Sequence, residues 1–192
     1  MNEIKTERHP WPAFVPTEPR VLFLGTFPPK PERWSMEFFY PNKINDFWRV
    51  MGLIFYQDRD ALWDGANSRF DLGKIRVFLS EHYIALWDTG MAVRRLRDNA
   101  SDKYLEIVEE LDLASFLDQH PTITTVVTTG EKATGVIARQ ASVDIPGIGV
   151  PCPCSVGGHG LVLWRMPSTS RAYPLALEKK AAEYQKVFTH IS

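Results

Sequence analysis

Apolar residues along this chain fall into four short unbroken runs. RVLFLG (Arg20–Gly25), YIALWDTG (Tyr83–Gly90), TITTVVTTG (Thr122–Gly130) and GLVLWRMPSTS (Gly160–Ser170) each carry a continuous apolar or β-branched stretch closed by a turn or hydroxyl cluster. Unbroken runs of this length suit strands buried on both faces, as in a parallel sheet. Between them the apolar positions recur at helical spacing. In NDFWRVMGLIFYQ, Phe47, Trp48, Met51, Ile54 and Phe55 share one helical face, with Asn45 as the N-cap and Asp46 in the first turn. FDLGKIRVFLSEHY, DLASFLDQHP, EKATGVIARQAS and PLALEKKAAEYQKVFTHI read as further helices, the last amphipathic. MAVRRLRDNASDKY (91–104) reads as a polar connection with room for a short helical turn. Residues 1–19, with HPWPAFVPTEP at their centre, predict an irregular proline-rich wrap.

Strands that alternate with helices predict a three-layer α/β/α arrangement around a four-stranded parallel sheet, with all 192 residues in one domain. Ligands in such folds sit at the carboxyl ends of the strands. Here those ends are GTFPP, DTG, TTG and MPSTS.

Charge narrows the picture little. The 22 basic and 23 acidic residues leave a net charge of −1. A sequence-independent DNA coat would be basic overall, whereas an enzyme that grips a few phosphates needs only a local patch. No run approaches the ~20 apolar residues of a membrane span, and the opening MNEIKTERHPWP lacks a signal peptide's apolar stretch, so a cytoplasmic protein is expected. Cys152 and Cys154 are too close for a useful disulfide. With His159 they form only a weak metal motif, and a Pro/Gly loop of small residues is the favoured reading, so no metal is expected.

The candidate chemistry lies after the strands. GTFPP carries no phosphate-cradle pattern; Gly25, Thr26 and Phe27 read either as a stiff turn or as the wall for a flat ligand. FFYPNKINDFWR packs three rings beside two amides. Phe39 or Phe27 can stack on a ring, and Asn42 and Asn45 can hold a water or a base edge, although Asn45 serves equally as a plain cap. Asp88 ends a strand as a catalytic carboxylate or a turn cap. Ser168, Thr169, Ser170 and Arg171 offer hydroxyls and a cation suited to phosphates, or an ordinary Ser/Thr turn; Lys30 and Arg165 are further cations of the same kind. No nucleophile elbow is present, and none of the five histidines stands in a recognisable pairing.

The ordered set LGTFPP, FFYPNKINDFWR, ALWDTG, VVTTGEKA and RMPSTSRAY, spread over residues 20–188, resembles the uracil-DNA glycosylase superfamily, and within it the hypoxanthine-DNA glycosylase branch. The resemblance implies an α/β/α fold with a four-stranded parallel sheet, and excision of a flipped, deaminated base from DNA without metal or cofactor. Hypoxanthine is the implied base, with uracil the rival. A binding module that kept the fold and lost the chemistry is the other reading. The wider superfamily holds its water with an Asp or Asn in the first motif, where this chain has Phe27; the branch uses the Asn of N-x-F-W, which matches Asn45. The resemblance makes Asn45 catalytic. Gly25, Thr26, Phe27, Phe39, Asn42 and Asp88 then face the base, and Lys30, Ser168, Thr169, Ser170 and Arg171 face the DNA of a monomeric enzyme. Three departures stand out: Met166 replaces the His of H-P-S, YPNKIND is a residue longer than the branch's usual pattern, and Arg171 stands where the branch commonly has Pro.

Overall fold

The computed structural model describes residues 5–96 and 104–191. In chain order the elements are β1 (Thr6–Arg8), β2 (Val21–Gly25), α1 (Phe47–Tyr56), β3 (Trp63–Asp64), β4 (Arg69–Phe70), α2 (Leu72–Glu81), β5 (Ile84–Asp88) and β6 (Gly90–Arg95). There follow β7 (Leu105–Glu110), α3 (Leu113–Gln119), β8 (Thr125–Thr129), α4 (Glu131–Gln140), β9 (Pro151–Val156), β10 (His159–Met166) and α5 (Leu177–Ile191).

The four expected strands are adjacent and mutually parallel, in the order β5-β2-β8-β10. Alternate residues of each strand point to opposite faces. Val21 and Phe23 pack with α1, α2 and α5 residues such as Met51, Phe78 and Tyr184. Leu22 and Leu24 pack with α3 and α4 through Phe116, Leu117 and Ile137. Covering both faces explains why β2 has no polar position. The chain turns from one side of β2 to the other between β5 and β8, so the β2/β8 boundary is the topological switch point where ligands collect in open α/β sheets.

Three expectations need correction. The sheet has five strands, because β9 joins β10 antiparallel at the edge. The segment read as a Pro/Gly loop is therefore a strand: Pro151 and Pro153 sit on an edge, where missing N–H groups leave no ladder bond unmade. Second, MAVRRLRDNASDKY is not a mere connection. Its first part belongs to β6, which pairs with β7 in an antiparallel hairpin; residues 97–103 lie outside the described residues. Third, residues 1–19 are not wholly irregular. β1 pairs with β6 to complete a second sheet, and Phe14 bridges to Leu86 on β5, so this segment covers the edge of the main sheet. No helix among the described residues is long and apolar enough to cross a membrane.

Candidate active site

The ends of β2, β5, β8 and β10 open onto one cleft. Its lining includes Gly25, Thr26, Phe27, Asn42, Asn45, Asp88, Ser168, Thr169 and Ser170, so nine of the sequence-derived candidates come together across the switch point. Tyr40, Arg95 and Thr129 join them.

Asn45 is placed by two elements. Its Oδ1 accepts the Phe47 N–H at 2.9 Å, which caps the start of α1. The Asp46 N–H donates to the Thr169 carbonyl at 2.9 Å, tying the helix start to the hydroxyl loop. The expected arrangement shifts by one residue: Asp46 is the N-cap position, and its carboxylate is turned away to meet Lys180 Nζ at 2.9 Å. Lys180 is fully buried and also donates to the Ser170 carbonyl at 3.0 Å. Tyr184 holds the same loop from below, its hydroxyl donating to Pro167 O at 2.8 Å; burial pushes that phenol well above its ordinary pKa, so it stays a donor. Asn45 thus caps a helix and lines a cleft at once. A second lone pair on Oδ1 and the Nδ2 hydrogens remain for a ligand.

Of the rings in FFYPN, Phe39, expected at the base, does not line the cleft. Phe39 is buried at 2% exposure and packs on Phe38 and Trp11. Tyr40 has φ of 51°, a left-handed conformation that costs an L-residue about 1–2 kcal/mol, and it alone of the three lines the cleft. Its ring stacks on Phe47 with centroids 3.8 Å apart, and its hydroxyl shares a 3.1 Å hydrogen bond with Thr129.

Histidine pairing was also missed. His9 and Asp88 form a 2.9 Å Nε2–Oδ2 pair, with side chains only 4% and 9% exposed. Asp88 sits opposite Gly25 in the β2/β5 ladder, and its Oδ1 lies over that glycine. A Cβ at Gly25 would fall 2.5 Å from Asp88 Oδ1, too close without a shift. Gly25→Ala is therefore expected to lose about 1–3 kcal/mol to overpacking, read from the midpoint and slope of urea unfolding. An unchanged midpoint would contradict this close approach.

The DNA-facing candidates divide. Arg171 is exposed and lies outside the cleft, on a broader groove that leaves it past Asn42, Asn45, Ser168 and Ser170. Arg33 shares that groove, and neither arginine makes an ion pair among the described residues. Arg165 and Arg139 are neutralised by Glu131 and Glu110. Lys30 lines neither the cleft nor the groove. Thr169 is 3% exposed and contributes its backbone more than its hydroxyl. Met166 is fully buried beneath the loop.

Cys152 and Cys154 pack against the sheet's second core, and His159 pairs with Asp118 at 2.8 Å. Burial first, and the neighbouring Cys152 second, push the Cys154 thiol up, against thiolate chemistry. Among the described residues no three His, Cys, Asp or Glu side chains are grouped to hold a metal ion.

Against solved structures, the chain matches the solution NMR structure of a protein from Methanosarcina acetivorans proposed to be a uracil DNA glycosylase. The TM-score is 0.63 at 21% identity, over 97% of this chain and 99% of that one. The two chains share one fold. No protein-family model and no curated protein matches the sequence. At this identity the shared fold says nothing of chemistry, which has to be argued from the cleft.

Proposed function

We propose that this chain is a single-domain, monomeric DNA glycosylase that hydrolyses the N-glycosidic bond of a deaminated base, with hypoxanthine preferred over uracil. The observation that carries this reading is the convergence of an aromatic-walled cleft with Asn45 and a hydroxyl loop at the switch point, on a fold shared with a proposed uracil DNA glycosylase. A flipped base lies between Phe27, Tyr40 and Asn42. Pro28 and Pro29 have no N–H and the Gly25 N–H faces β5 within the ladder, so the first loop meets the base oxygen through Thr26 and Phe27. Asn45 holds the attacking water near the sugar. Bond cleavage makes the sugar positive and the base negative, and prearranged dipoles in a confined cleft stabilise both. Met166 cannot supply the electrostatic help that a histidine would give the leaving base. That disfavours efficient uracil excision and leaves the base to be held by amide donors. No metal or cofactor enters this scheme.

The flanking groove suits a DNA strand, double- or single-stranded, with Ser168, Ser170, Arg171 and Arg33 toward the phosphates. Arg171→Ala is expected to weaken duplex binding and to lower the slope of log affinity against log salt by about one. An unchanged slope would remove Arg171 from the DNA surface.

The activity test is alkali-labile strand scission after incubation with duplexes containing hypoxanthine, xanthine, uracil or a G·T mismatch. The reading expects cleavage fastest at hypoxanthine. Tight binding with no abasic product on any duplex would favour the non-catalytic module instead.

A further inference from the structure

We propose that Asp88, oriented by His9, is a catalytic carboxylate of the cleft that acts on the attacking water together with Asn45. This rests on the base-excision reading above and gives the N-terminal segment a part in the site. The first loop places Phe27 where a polar residue would serve the nucleophile, so the neighbouring strand supplies the charge. Asp88 and Gly25 are register partners, and the Thr89 and Gly90 amides donate to the Gly25 and Thr26 carbonyls at 2.9 and 2.8 Å. Pairing thus continues past the strand ends and locks the carboxylate beside the loop. Only a glycine at position 25 leaves room for Oδ1 there.

The two carboxylate oxygens have different surroundings. Oδ2 accepts from His9 Nε2–H at 2.9 Å. Oδ1 has no hydrogen-bond partner among the described residues, and Asp88 lines the cleft. His9 does not line it. Its Nδ1 lies 2.7 Å from the Trp11 carbonyl and 3.2 Å from the Trp11 nitrogen, so a neutral ring accepts the amide hydrogen and a charged ring donates to the carbonyl. Either way the Nε2–H stays on Asp88. The imidazole meets Phe27 edge-on at 5.5 Å and stacks on Phe39 at 5.9 Å, which gives buried Phe39 a supporting role under His9. His9 is a positioning residue; Asp88 is the catalytic one.

A purely structural pair is the weaker explanation. The β1–β6 ladder and the Phe14–Leu86 bridge already fix the segment on both sides of His9. A buried hydrogen-bonded pair adds little net stability whether or not it is charged. In the reaction, water oxygen bonds to C1′ as the C1′–N bond breaks and its electron pair leaves with the base. The water's proton passes to Asp88 Oδ1, the base nitrogen takes a proton from solvent and Asp88 returns its own to solvent, so the net change is addition of one water across the bond. Until then the carboxylate stabilises the developing positive charge on the sugar.

The test uses single-turnover excision by the full chain on whichever duplex it cleaves fastest, with affinity for the abasic product and thermal melting measured alongside. Asp88→Asn should slow the chemical step by ~10²-fold or more, with product affinity unchanged. His9→Phe keeps the ring contacts but removes the N–H and should cost ~10-fold, while His9→Gln, which restores a donor, should recover most of that loss. In the Asp88→Asn background His9→Phe should cost nothing more, because His9 acts only through Asp88. Near-wild-type excision by folded Asp88→Asn, or an equal His9→Phe penalty in both backgrounds, would overturn the inference. If Asp88→Asn does not melt cooperatively, the His9→Phe and His9→Gln rates decide alone: no loss, or no rescue, overturns it. A wild-type chain that excises no base would instead overturn the base-excision reading itself.

Discussion

Asn45→Ala and Asn45→Ser are expected to lose base excision by ~10²-fold or more while remaining folded. The side chain serves two purposes that substitution can separate. Its Oδ1 caps α1 through the Phe47 amide, and Ser or Asp at that position also accepts such a bond, so their melting temperatures should change little. Removing the cap with Ala should cost about 0.5–2 kcal/mol, far below what unfolds a typical domain. Holding a water in the cleft is its proposed second purpose, and Ser is too short to place that water. Asn45→Asp should keep part of the activity, since a carboxylate can also orient water. Single-turnover rates measured beside melting curves separate the two roles: full activity in a folded Asn45→Ala chain would place the nucleophile's anchor elsewhere.

The second large effect is on stability. Asp46→Ala leaves the Lys180 ammonium buried with the Ser170 carbonyl and the face of the Tyr173 ring but no counter-charge, and breaking one side of a buried pair typically costs about 3–5 kcal/mol. The urea midpoint should fall accordingly. Replacing both partners, as in Asp46→Asn with Lys180→Met, should regain most of that loss, because an apolar filling of similar volume needs no counter-charge. Excision should not return with it. Lys180 reinforces the backbone bond between Asp46 and Thr169 by bridging the Asp46 carboxylate to the Ser170 carbonyl, and without it the start of α1 and the hydroxyl loop are held less firmly in one geometry. A double variant with wild-type excision would mean that the ion pair has no bearing on the cleft.

The parallel strands were legible because burial on both faces leaves an unmistakable mark: β2 and β8 have no exposed position to fill with a polar residue. From their order alone the four loop ends could be placed on one edge. What the sequence hid was set by long-range pairing. His9 and Asp88 are 79 residues apart, and nothing local to a proline-rich segment announces a buried histidine. β9 was hidden by Pro151 and Pro153, which argue against a strand everywhere except at an edge. β6 was hidden by its charge, because Arg94 and Arg95 face outward or toward Glu7 while Ala92 and Val93 carry the packing. Of Phe38, Phe39 and Tyr40 it is Tyr40 that lines the cleft, and it does so with a left-handed φ that no side-chain pattern encodes. Asn45 was legible as both a cap and a ligand group, and the structure keeps both roles open in one side chain.

Base release is the claim on which the rest depends, and it has a direct chemical readout. The wild-type chain is incubated with a duplex carrying a single hypoxanthine; the free base is quantified by chromatography and the abasic site by alkaline scission. The two products are expected in equal amounts, formed faster than from the matching uracil duplex, without added metal and unaffected by a chelator. Intact DNA after prolonged incubation of a folded, DNA-bound chain would contradict it.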